Sequence, residues 1–272
     1  MALALGSHVE IGQLMVAISE PHREGLAEYH RWFESDHMYS SVLVGPGAFS
    51  ANRYVATRAL KALRAPRDGG VFEHVEAGSF TALYYIAAGS VEEHFAWSFP
   101  VQAELGRQGR NNPHRDLVLT WLCDYRGRVA RDADSVPPEV ALDHPYPGLV
   151  MAWVDRLESA SLEDLQAGLE EFLQGGWLAA SPVDQVLFFA PRDFPPPPPE
   201  VSLTPGAIEP NAFVGERLLA LFFLDVPPEQ AWAAHFERLG TVLARRGLAG
   251  LALAAPFLPA LRGTRRHLDA LW

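Results

Sequence analysis

The sequence predicts an α+β fold: two ferredoxin-like βαββαβ repeats in one chain, closing on each other as an intramolecular α/β barrel. Three observations predict it. Short apolar runs of strand length alternate with segments of helical period in the order βαββαβ, and that order occurs twice. A proline-rich acidic stretch at 132–147, holding Pro137, Pro138, Pro145 and Pro147, divides the chain nearly in half. The 272 residues are 49% hydrophobic and 20% charged, enough apolar surface for a large core. The expected division is an N-terminal repeat over 10–131, a linker over 132–147 and a diverged C-terminal repeat over 148–272.

In the first repeat, 13–19 (QLMVAIS) is an apolar strand. A helix follows over 24–38, with Leu26, Tyr29, His30, Phe33 and His37 at helical spacing, and Gly45-Pro46-Gly47 stops it. Residues 49–57 alternate as a strand, and 79–87 form another. Ser90 and Glu93 form a capping box for a second helix, which Pro100 is expected to kink or break. Residues 117–124 complete the unit. The second repeat offers a strand at 149–155, a helix at 161–173 with its own Ser161/Asp164 box, and strands at 184–190 and 217–225. A helix from 227 to about 246 starts on proline, and a strand at 248–254 closes the order. The run of five prolines at 195–199 is an extended loop that continues to about Asn211. Such a unit makes a four-stranded antiparallel sheet with both helices on one face, so its other face must be covered. Two sheets in one chain can cover each other.

Composition excludes several classes. With 33 acidic against 22 basic side chains, a formal charge of -11, the chain lacks the basic footprint of a nucleic-acid or anionic-membrane partner. A single cysteine, Cys123, excludes a disulfide framework and a cysteine-rich metal site. Apolar runs such as 218–224 fall short of the roughly 20 residues that span a bilayer, and no basic-then-apolar leader opens the chain. A cytoplasmic protein is expected. No GxGxxG, GxxxxGK[ST] or GxSxG occurs.

One segment carries a family resemblance. Trp32-Phe33-Glu34-Ser35-Asp36-His37, followed by Gly45-Pro46-Gly47-Ala48-Phe49-Ser50-Ala51-Asn52-Arg53-Tyr54, resembles the EthD-like group of dimeric α/β-barrel proteins. That group often shows a Trp-Tyr/Phe-x-x-Glu/Asp-His helix end and then Pro-Gly-x-x-x-Ala-x-Arg-Tyr/Phe. The resemblance spans about residues 13–124. It implies a ferredoxin-like barrel with a small-molecule cavity, among relatives that include cyclases, isomerases, lyases and cofactor-free oxygenases.

The same residues have a reading of their own. His37 at a helix C-terminus is either stabilised there by the helix dipole or acts as a general acid/base tuned by Asp36 or Glu34. Arg53, inside a strand, either pairs with Asp36 or Glu34 or holds an oxyanion. Tyr54 and one of the adjacent Tyr84 and Tyr85 can offer a phenol to a cavity. Trp32 and Trp97 are core residues or ligand platforms; His74 precedes a strand, and His94 lies in the first turn of the second helix. A metal assembled from His30, His37, His74 and Glu34 lacks ligand spacing, so no metal is expected.

The expected function is a cofactor-independent lyase, cyclase or isomerase that moves a proton on a small, largely apolar or aromatic metabolite. His37, Arg53, Tyr54 and Asp36 are the catalytic candidates, and Trp32, His74, Tyr84, Tyr85 and Trp97 the substrate-binding ones. The expected site is an apolar pocket inside the N-terminal repeat. Two other classes stay open: a non-catalytic barrel that binds a hydrophobic ligand or partner, and a haem enzyme of chlorite-dismutase-like type with His235 as proximal ligand. A fused barrel is compatible with a monomer or a homodimer.

Overall fold

The computed structural model describes residues 8–68, 70–201, 208 and 210–272. Its strands are β1 (Ile11–Pro21), β2 (Ala48–Val55), β3 (Phe80–Ala87), β4 (Arg115–Ala130), β5 (Gly148–Asp155), β6 (Val183–Arg192), β7 (Arg217–Leu224) and β8 (Gly250–Pro259). Its helices are α1 (Leu26–Trp32), α2 (Arg58–Leu63), α3 (Val91–Arg107), α4 (Leu162–Phe172), α5 (Pro228–Ala231) and α6 (Leu239–Arg245). The strands form a closed barrel in the order β1-β3-β2-β8-β5-β7-β6-β4, and every pair is antiparallel. Cut at two places, this ring is β4-β1-β3-β2 and β8-β5-β7-β6, the same ferredoxin-like arrangement twice. The tandem-repeat barrel expected from the sequence is the fold.

Alternation along each strand sorts side chains into the barrel interior and an outer layer under the helices. Leu14, Val16, Leu83, Tyr85, Met151, Trp153, Phe189, Phe223 and Phe257, drawn from both halves, share one buried cluster inside the barrel. On the outer face, Val55, Phe80, Ala82 and Tyr84 pack against Tyr29 and Phe33. Val154, Phe188 and Phe222 pack against Leu165, Leu169, Phe236 and Leu243. Both layers are aliphatic and aromatic, which is why the closed sheet needs no partner chain to cover a face.

The two seams that close the ring differ in length. β4 and β6 pair from Leu122↔Arg192 to Ala130↔Gln185, whereas β2 and β8 pair only at Tyr54↔Pro259 and Val55↔Leu258. The chain beyond β8 reinforces the short seam. The Ala260 amide donates to the Arg53 carbonyl at 2.8 Å, and the Arg262 guanidinium donates to the Ala51 carbonyl. Leu268 and Leu271 then bury against the α1 layer.

Several local expectations need correction. The first helix does not stop near Met38. It continues through two π-type turns, Phe33–His37 and Tyr39–Leu43. Ser90 does not cap α3: its backbone, at φ -104° and ψ -4°, lacks the extended conformation an N-cap needs. Its side chain packs instead on Gly47, where a Cβ would lie 2.2 Å from that of Ser90. Pro100 does not break α3, which runs on to Arg107; Pro100 is exposed while Phe95 and Phe99 on the opposite side are buried. The helix expected from 227 to about 246 is three pieces, α5, a π-type turn at Trp232–Phe236, and α6. The Ser161/Asp164 capping box is complete. No helix of the described residues is long and apolar enough to cross a membrane.

If the terminal segment clamps the short seam, removing a buried side chain from it should cost what a core residue costs. Leu271, fully buried, changed to Ala should destabilise the protein by about 2–5 kcal/mol. Val44→Ala, at a 67% exposed position, should stay within about 0.5 kcal/mol. Denaturant midpoints measure both; a near-neutral Leu271→Ala would remove the clamp.

Candidate functional site

The residues expected to be catalytic are dispersed between two faces of the sheet. Arg53 is fully buried and points outward, beneath α1, with its guanidinium over the rings of Phe80 (3.9 Å) and Phe33 (4.4 Å). Its Nη1 donates to His30 Nδ1 at 3.0 Å and lies 3.5 Å from Glu34 Oε1. His30 in turn donates from Nε2 to the Thr264 carbonyl at 2.7 Å, and Glu34 accepts from the Gly263 amide at 2.7 Å. Arg53, His30 and Glu34 therefore form a clasp between the N-terminal helix and the terminal segment. Burial lowers the pKa of His30, with the Arg53 cation adding to it, so the ring is the neutral link that this chain of donors requires.

Tyr54, the next residue, faces the opposite way, into the barrel. Tyr85 also points inward and Tyr84 outward, and burial raises all three phenols above their ordinary pKa. His37 stacks on Trp32, ring centroids 4.3 Å apart, with Phe33 at its edge. Burial and the Arg115 cation push its pKa down to about 3, so it is neutral at physiological pH. Asp36 is bound by Arg110 and Ser40, which hold its carboxyl below the usual range. Trp32 donates to the Arg110 carbonyl. His74 is exposed beside Glu73, and Trp97 is half-buried over Gly45. His94, in the first turn of α3, is buried with Nδ1 on the Pro46 carbonyl at 2.9 Å. The pocket expected around His37, Arg53 and a tyrosine is filled by these contacts.

A cavity among the described residues lies elsewhere. Below Leu122, the edge of β4 has no β6 partner, and residues 210–213 run beside it. The gap is a pocket of about 360 Å3 lined by Val71, Leu117, Leu119, Thr120, Trp121, Asn211 and Phe213 among others. Trp121 and Phe213 face each other with ring centroids 5.7 Å apart. Phe213 is held from behind by Arg217, 3.7 Å from its ring and paired with Asp155. Thr120 Oγ1 and Asn211 Nδ2 are buried and have no hydrogen-bond partner. Sequence reasoning missed this site because half of it is a proline-flanked loop without periodicity. The full length of β4, Arg115–Ala130, against a β6 that ends at Arg192 shows only in the structure.

No family model matches the chain, and no curated protein matches it in sequence. Solved structures match it in fold. An anthrone oxidase-like protein superposes with TM-score 0.53 at 11% identity over 94% of both chains. A haem-binding protein from Thermus thermophilus does so with TM-score 0.46 at 9% identity over 100% of this chain and 98% of that one. The chlorite dismutase of Candidatus Nitrospira defluvii does so with TM-score 0.47 at 10% identity over 96% of both. The likeness is to the dimeric α/β-barrel architecture.

The cofactor-independent lyase, cyclase or isomerase is overturned: the chain shares its fold with an anthrone oxidase-like protein, and the expected acid/base, His37, is held neutral and stacked on the Trp32 indole. The haem alternative fails a test of room. His235 sits at the edge of Trp177, 5.7 Å away, and the space under the C-terminal helices, lined by Val154, Phe172, Phe188 and Leu243 among others, is about 10 Å3. Small-molecule sites run roughly 300–1,000 Å3. Among the described residues that line the larger pocket there is no histidine, cysteine, methionine or tyrosine to serve as an axial ligand.

Histidines that the fold holds neutral make stability depend on pH in a defined direction. His30 and His37 have folded pKa values below the 6.5 of the unfolded chain. Below about pH 6.5 the unfolded state therefore binds more protons, and stability falls with falling pH toward the folded values, by up to about 1.4 kcal/mol per pH unit per histidine. The denaturant midpoint should drop from about pH 7 to about pH 5. His37→Phe, which keeps the stack, should flatten that drop; an unchanged slope would show His37 to be free to ionise.

Proposed function

We propose that the chain holds a small, flat, largely apolar aromatic molecule in the pocket where β4 parts from β6. The observation that carries this is the pocket itself: a volume in the small-molecule range, an indole and a phenyl ring 5.7 Å apart, and two buried polar atoms left without partners. Unpaired buried polar groups cost on the order of 1–3 kcal/mol each, which a hydroxyl or carbonyl on the ligand would relieve. Two or three fused rings bearing such a group fit that description. The names borne by barrels of this architecture, an anthrone oxidase-like protein among them, favour oxidation as the reaction class for that ligand.

The finer placements made from sequence stand beside this as proposals. They are an EthD-like affiliation carried by the 32–37 and 45–54 segments, repeats divided at 131 and 148, and a cytoplasmic monomer or homodimer. His37, Arg53 and Asp36 serve the fold in this reading.

Anthrone and 1-naphthol should each quench tryptophan fluorescence saturably. Ala212→Trp, at an exposed position that lines the pocket, should weaken both at least about tenfold, the 1.4 kcal/mol of one lost apolar contact set, without lowering Tm appreciably. Equal affinity in the variant would place the ligand elsewhere.

A further inference from the structure

We propose that His22, Glu24 and His114 form a binding site for a divalent transition metal ion at the open end of the β1–β4 ladder. The three side chains each offer a ligand atom, and these atoms lie within 4.8 Å of one another. Around a tetrahedral ion with bonds of about 2.0–2.1 Å, ligand atoms stand about 3.3 Å apart, so modest side-chain rotation completes the set.

The backbone brings them together. β1 and β4 pair as far as Pro21↔Arg115, and the ladder continues one step further, with the His22 amide donating to the His114 carbonyl at 2.9 Å. Cross-strand neighbours have Cβ atoms about 4.5–5.5 Å apart, and the two imidazoles meet edge to face with centroids 6.4 Å apart. The His114 ring is fixed from behind by Gly25, where an added Cβ would lie 1.9 Å from its Cγ. Only glycine admits the ring at that place.

The local charge also favours a cation. Asp116 Oδ1 lies 3.2 Å from His22 Nε2, and Glu28 Oε2 lies 3.7 Å from His114 Nε2, so each ring has its own carboxylate in addition to Glu24. Carboxylates of this kind serve as further oxygen ligands or hold the ring for the metal. The arginines adjacent in sequence, Arg23 and Arg115, are both turned away: Arg23 lies over the Trp272 ring and Arg115 over the Trp32 ring, each at 4.7 Å. Two imidazoles with carboxylate oxygen suit zinc, cobalt, iron or nickel in the divalent state and not magnesium or calcium.

Untagged, chelator-treated protein titrated with Zn2+ by calorimetry, and with Co2+ by visible absorption, tests this. One equivalent should bind, with Co2+ bands reporting nitrogen and oxygen ligands. His22→Ala and His114→Ala should each weaken Zn2+ binding at least about tenfold, the least that changes at metal sites cost. Glu24→Gln, exposed and harmless to folding, should weaken it too, while His74→Ala should not. Absence of saturable binding, or affinity unchanged in His22→Ala, His114→Ala and Glu24→Gln, would overturn the site.

Discussion

Closing eight antiparallel strands into a ring within one chain requires two seams between the repeats, and the lengths of those seams govern where everything else can be. The β4–β6 seam is long but leaves the first residues of β4 without a β6 partner. The β2–β8 seam has two residue pairs and cannot hold by ladder hydrogen bonds alone. The first inequality opens the pocket at Leu117–Trp121. The second is answered by the segment after β8, which crosses to the N-terminal repeat and docks on Arg53, His30 and Glu34. Interior and outer layers are otherwise filled by side chains from both halves.

That closure gives a histidine, an arginine and a carboxylate under one helix a fastening role between α1 and the terminal segment. A cation as buried as Arg53 persists only with compensation, here Glu34, the His30 lone pair and the faces of Phe80 and Phe33. A buried pair of this kind adds little net stability over a well-packed apolar one, yet breaking it is expensive, so it fixes which surfaces dock. Here it selects the terminal segment. A substrate could reach Arg53 only by displacing that segment and α1.

Much of this was legible in the sequence. The doubled βαββαβ order and the Ser161 capping box follow from period and punctuation. The alternation that puts Arg53 and Tyr54 on opposite faces also follows, as does the fact that only one of Tyr84 and Tyr85 faces inward. Which face was inside depended on strand register across the barrel, which no local pattern records. His30 and His37, seven residues apart, were expected on one helix face; π-type turns wind more residues per turn, so His30 meets Arg53 while His37 meets Trp32. The pocket was illegible because its walls, Leu117–Trp121 and 210–213, are distant in sequence and meet only where a ladder ends. His22 and His114 share that difficulty: extending both strands of the β1–β4 pair by a few residues would have found them, but strand ends are where sequence patterns fade.

We place the working site at the parted seam and not in the clasp beneath α1. Amide hydrogen exchange with and without bound anthrone tests it most directly, because it locates the ligand along the chain. Protection on binding should appear at 117–121 and 211–213, with 30–54 unchanged. Protection confined to 30–54 would contradict the account and return the site to Arg53 and His37.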